Sequence, residues 1–142
     1  MAEPFLDTNI LLRHFLQDVP DQSRRASAYI GRIEAGERQV RVSDLVIFEI
    51  VYTLQRQYRQ PKDKIRDGVL AILDLPGIIL TGKRRYRRIF DLYVNLNISF
   101  ADSYHVVLMQ QRSISDIVSF DREFDRVPGI RRVEPSEDGA GS

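Results

Sequence analysis

The sequence predicts an α/β fold: a three-layer α/β/α sandwich around a mainly parallel sheet of four or five strands. Three observations lead there. Short segments at residues 5–6, 78–80 and 117–120 that are mostly apolar, the alternating segment at 40–42 and a last segment at 130–133 read as strands. Between most of them lie longer stretches whose apolar residues recur at helical spacing, the alternation of a parallel sheet covered on both faces. The 142 residues show no repeat and no long linker, which suits one hydrophobic core. The expected organisation is a single domain over residues 1–133 and a polar, glycine-rich, frayed tail over 134–142.

The elements follow in order. Phe5 and Leu6 end a first strand, and Asp7, Thr8 and Asn9 form a capped strand-to-helix junction. Ile10, Leu11, Leu12, Phe15 and Leu16 make the apolar stripe of the helix that follows. Asp21 is the expected cap of a second helix, with Ala26, Tyr29, Ile30 and Ile33 inward and Gly36 ending it. After the strand at Val40 and Val42, Ser43 opens a helix that is apolar over a wide face, and a central position is expected for it. Pro61 belongs to the first turn of the next helix. A strand at Ile78, Ile79 and Leu80 precedes a basic helix, and Ser99 caps a further helix through Ala101, Tyr104, Val107 and Leu108.

Composition excludes several functions. Without cysteine there is no disulfide framework, thiolate zinc site or cysteine nucleophile, and the cytoplasm is the expected compartment. No stretch approaches the roughly 18 apolar residues of a membrane span. A net charge of +1 says little about partners, so a nucleic-acid surface must be sought by position.

Four acids stand out. Asp7 and Asp121 each follow an apparent strand, Asp102 lies in the first turn of a helix, and Glu49 lies in a helix that starts just after a strand. Ligands of parallel sheets bind beyond the carboxyl ends of the strands, so these positions predict convergence on one sheet edge. Clustered carboxylates repel one another unless protonated or paired with a cation, and a hard divalent ion suits an all-oxygen set. Each acid also has a structural reading: Asp7 and Asp121 as caps, Asp102 as a favourable first-turn acid, Glu49 as an ion-pair partner. Asp44 reads as a first-turn residue and Asp125 as a surface contact. His14 and His105 lie in apolar helices, where packed or hydrogen-bonded roles are expected.

Four segments carry a resemblance: FLDTNILLRHFLQD from Phe5, VSDLVIFEIVYTL from Val42, ISFADSYHVVLMQQ from Ile98 and IVSFDREFDRVPGI from Ile117. In order and spacing the chain resembles the PIN-domain ribonucleases, especially the VapC-like toxin subunits of toxin–antitoxin pairs, over roughly residues 4–133. The resemblance implies an endoribonuclease in which Asp7, Glu49 and Asp102 hold Mg²⁺ or Mn²⁺, as one or two ions. Asp121 assists the metal or the attacking water. Thr8 and Asn9 support the first acid, with Thr8 orienting the Asp7 carboxylate, and Ser119 stands near the metal. Cleavage would leave a 5′ phosphate and a 3′ hydroxyl. A homodimer and a DNA-binding antitoxin are the implied protein partners; no membrane is implied. Lys83, Arg84, Arg85, Arg87 and Arg88, interleaved with Tyr86, form a basic stripe suited to RNA phosphates, or equally a solvated helix face. A nuclease outside a toxin pair and a non-catalytic binding module are the alternatives. A phosphatase-like hydrolase is disfavoured, because Asp7 is followed by Thr8 and Asn9 rather than by a second Asp two residues on.

Overall fold

The computed structural model describes residues 2–137. The chain divides into two compact units, residues 1–84 and residues 85–142. It is α/β, with every strand pairing parallel, consistent with a PIN-like topology.

The first unit contains helices α1 (Thr8–Leu16), α2 (Pro20–Glu34), α3 (Asp44–Arg56) and α4 (Lys62–Leu73), with strands β1 (Val40–Arg41) and β2 (Ile78–Ile79). β1 pairs with β2 in the register Val40↔Ile78, and its Arg41 also forms a parallel bridge with Phe5. β1 is therefore the middle segment. Leu6 N donates to Arg41 O at 2.9 Å and Val42 N donates to Ile79 O at 3.0 Å. Leu11, Ile30, Ile33, Ile47, Ile50, Leu54, Ile65 and Ile78 are buried.

Local chemistry sets the helix ends. Ser43 Oγ accepts from Val46 N at 3.3 Å and opens α3, as the sequence predicts. α2 departs from expectation. It begins at Pro20, with Asp21 inside the first turn, where its carboxylate meets Arg24 and Arg25. Proline favours the first helical position because its missing N–H would be unpartnered there anyway. Pro61 is likewise one residue outside α4, at its N-cap. α3 is not enclosed: Ile47, Ile50, Val51 and Leu54 are buried, but Leu45 and Tyr52 are 65% and 63% exposed. Phe5, expected in a buried strand, is 73% exposed while Leu6 is buried, since successive residues of an extended segment point to opposite faces.

The second unit contains α5 (Tyr86–Asn95), α6 (Phe100–Gln111), β3 (Asp116–Val118) and β4 (Arg131–Val133). The expected basic helix begins as a 3-10 turn at Lys83–Arg85 and becomes α-helical only at Tyr86. α5 packs on α6 through an aromatic cluster: the Phe100 ring lies 5.0 Å from Phe90 and meets Tyr93 edge-on at 5.5 Å. Burial pushes the Tyr93 hydroxyl up to about 12. β3 and β4 pair parallel in the register Asp116↔Arg131, and the crossover between them carries the 3-10 turn Arg122–Arg126.

Among the described residues, hydrogen bonding groups the five extended segments as three and two. No helix among them is long and apolar enough to cross a membrane. Residues 134–137 form no helix or strand; the rest of the expected tail, 138–142, lies outside the described residues.

Candidate functional site

In the first unit the acids gather around the start of α1. Asp7 is the N-cap of α1, extended at φ −85° and ψ 158°, and its Oδ1 accepts from Thr8 N at 2.8 Å. This is the cap geometry the sequence predicts, with the carboxylate itself left exposed. Thr8 is buried. Its Oγ1 donates to Glu49 Oε2 at 2.8 Å, so the hydroxyl holds the α3 acid and not the Asp7 carboxylate. Glu49 stands on α3 among buried Ile47, Ile50 and Val51, with its own carboxylate exposed. Asn9 is exposed.

In the second unit three carboxylates meet. One ligand oxygen each from Asp102, Asp121 and Glu123 lies within 4.8 Å of the others. The backbone builds this cluster. Ser99 Oγ accepts from Asp102 N at 3.1 Å and caps α6, which puts Asp102 in the first turn. Asp121 follows β3; its N donates to Ser119 Oγ at 2.9 Å, and its Oδ1 accepts from Glu123 N at 2.9 Å. Glu123 Oε2 in turn accepts from Ser99 N at 3.1 Å. Each acid thus sits in a bond that fixes the next.

The surroundings of Asp102 disfavour its charged form. Asp102 is pushed from 3.8 up to about 6. Burial is the main cause, followed by the hydrogen bond shared with Glu123. Ser99 opposes the rise, and the nearby charges of Asp121 and Glu123 add to it. Such an all-oxygen, like-charged set suits a hard divalent ion such as Mg²⁺ or Mn²⁺.

Sequence reasoning missed Glu123. Its only signal was an acid two positions after Asp121, at a point where a 3-10 turn folds the chain back. Asp125 makes the surface contact expected of it, with Arg132 Nε at 3.1 Å. Arg132 also donates to Ser119 O at 3.2 Å, which ties β4 to the residue that caps Asp121. Asp44 is the first residue of α3. His14 Nδ1 lies 2.9 Å from Ser27 Oγ, and burial lowers its pKa. His105 is exposed on α6 rather than packed.

The basic stripe is divided. Lys83 Nζ donates to Leu75 O at 3.1 Å and to Ile78 O at 2.8 Å, an internal brace. Arg85 Nη2 donates to the Tyr104 hydroxyl at 3.0 Å, with its guanidinium over that ring. Arg88 pairs with Asp91 at 2.8 Å. Arg84 and Arg87 are exposed.

Comparison with known proteins adds two findings. The profile of the PIN domain matches residues 5–130. The chain is also 27% identical over 133 residues to a VapC ribonuclease of Aquifex aeolicus (strain VF5), an alignment covering 94% of this chain and 97% of that protein.

Proposed function

Since the chain belongs to the PIN-domain family, we propose that it is a Mg²⁺- or Mn²⁺-dependent endoribonuclease and the toxin of a toxin–antitoxin pair. The observation that carries the proposal is the cluster of Asp102, Asp121 and Glu123, whose mutual repulsion a divalent cation would relieve. A degenerate binding module has no need of it.

In this reading Asp7, Glu49 and Asp102 are the ligands of the main ion, as the family pattern implies. A divalent ion so held neutralises charge developing on the phosphodiester and lowers the pKa of water. Thr8 fixes the Glu49 carboxylate through its hydroxyl. Asp121 assists the ion or orients the attacking water, and Ser119 holds the backbone at Asp121. Glu123, on the 3-10 turn that Asp121 caps, joins Asp102 and Asp121 in the cluster and is steadied by Ser99 N. Water attacks the phosphorus in line and the ribose 3′ oxygen leaves, giving a 5′ phosphate and a 3′ hydroxyl.

A homodimer and a DNA-binding antitoxin belong to the same proposal. The exposed Leu45 and Tyr52 of α3, seven residues apart on one face, supply apolar surface of the kind such partners cover. The decisive experiment is incubation of total cellular RNA with Mg²⁺, Mn²⁺ or EDTA, followed by 5′-end mapping. Discrete cuts bearing 5′ phosphates are expected with metal and none with EDTA. Equal cutting in EDTA overturns the proposal.

A further inference from the structure

The first unit holds a groove of about 690 Å³ that runs from Asp7 along α1 and α2. Arg13 of α1 lines it, with Arg25, Tyr29 and Arg32 of α2; Phe5 and Asp7 line it as well. Charged residues on its walls are thus three arginines to one aspartate. Arg25, Tyr29 and Arg32 recur at helical spacing on one face of α2, and the two arginines span about 10 Å along the axis. That spread exceeds a single phosphate and suits successive ones along a strand.

Arg13 pairs with Asp18 at 2.9 Å, whereas Arg25 and Arg32 are only lightly committed. Arg25 meets Asp21 at 3.4 Å with both side chains exposed, a contact worth little in water. Arg32 lies 5.6 Å over the Tyr29 ring and, among the described residues, has no carboxylate partner. Phe5, 73% exposed beside Asp7, offers an uncovered ring face. Guanidinium groups for phosphates and aromatic faces for bases are the combination that holds single-stranded nucleic acid.

We propose that the groove between α1 and α2 holds the single-stranded RNA next to the scissile phosphate. Phosphates lie against Arg25 and Arg32, and a base against Phe5, while the Tyr29 ring is faced by Arg32 at 5.6 Å and Arg38 at 5.8 Å. The proposal rests on the ribonuclease reading, because it takes Asp7, a lining residue of the groove, as an acid of the reaction. It also shifts the RNA path away from residues 83–88, where Lys83 and Arg85 are engaged in internal bonds. A segment of a protein partner is the competing occupant. Continuity with Asp7 favours the substrate, since the strand must leave the scissile phosphate across adjoining surface.

The test is fluorescence anisotropy of a short fluorescein-labelled single-stranded RNA with the full chain in EDTA, over a range of salt. The Arg25→Ala/Arg32→Ala double variant should bind about tenfold more weakly, with a log–log salt slope shallower by about 1.4 for two lost phosphate contacts. The Arg24→Ala/Arg56→Ala variant removes equal charge outside the groove and should bind within about twofold of wild type. Equal losses in both variants would mean diffuse attraction and overturn the proposal. Unchanged binding in the groove variant overturns it too and gives the groove to a protein partner. Cleavage with metal is scored separately. Groove-dependent binding without cleavage would end the ribonuclease reading and leave the groove as an RNA site.

Discussion

The Thr8 hydroxyl donates to Glu49 Oε2 across 41 residues of sequence, joining the first turn of α1 to the middle of α3. Thr8 is 8% exposed, so its side chain is fixed by packing before it meets the acid. Groups that orient a metal-binding carboxylate are worth about 10- to 100-fold in metal affinity or activity. Thr8→Val keeps the shape and removes the donor. It should lower cleavage by about that factor while stability falls by only about 1 kcal/mol. Thr8→Ser restores the donor and should recover most of the activity. Equal activity in all three proteins, at saturating Mn²⁺ and at limiting Mn²⁺, would remove Thr8 from the site.

Asp7 has two separable jobs. It caps α1 and, in the proposed function, binds the ion. Asparagine caps a helix as well as aspartate does, whereas alanine does not. Asp7→Asn should therefore abolish cleavage and leave the urea midpoint near wild type. Asp7→Ala should abolish cleavage and also lose about 1 kcal/mol. Full activity in a clean Asp7→Asn preparation would sink the assignment.

Much of this site was legible from local signals. Ser43 and Ser99 read as caps because a short hydroxyl before an apolar periodic run has one main use, and both hydroxyls accept a backbone N–H. The same signals do not report what lies across the fold. Thr8 reads as a neighbour of Asp7, but its hydroxyl points to a residue supplied by a distant helix. Lys83 reads as surface charge, yet its ammonium ends on two carbonyl oxygens. Glu123 was invisible because its position depends on a 3-10 turn, which leaves no strong periodic pattern over five residues. Periodicity also cannot say which apolar face is covered, so Leu45 and Tyr52 looked like core and are exposed.

Gly77 tests the packing beneath the first unit. A Cβ there would meet Arg38 O at 2.6 Å and Ile33 Cγ2 at 2.8 Å. Gly77 O also accepts from Val40 N at 2.8 Å, so the backbone cannot withdraw without loosening β1. Gly77→Ala should cost about 1–3 kcal/mol, as overpacking does. A urea melt measures it. By contrast Gly31→Ala, with open space around the added carbon, should be neutral or stabilising. Equal midpoints for the two variants would show that the backbone at Gly77 yields without cost.

The acidic cluster makes stability depend on pH and on metal in a defined direction. Asp102 ordinarily titrates at 3.8 and is raised to about 6 in the folded chain. Across that interval the native state holds a proton that the unfolded chain has lost. Stability without metal therefore falls as pH rises through the interval, and the loss is complete above it. In the proposed function a divalent ion takes over the role of the proton. Mg²⁺ at a hundred-fold excess over its Kd should stabilise the chain by about 2.7 kcal/mol near pH 7.5, and by much less near pH 4.5, where protons compete. Glu123→Gln removes one of the repelling charges and the carboxyl partner of Asp102. In that variant the metal-free decline with pH should flatten, and the Mg²⁺-induced rise in Tm near neutrality should shrink. Thermal melts with EDTA and with Mg²⁺ at both pH values decide it. If wild type and Glu123→Gln melt alike under all four conditions, the three acids do not act together on an ion.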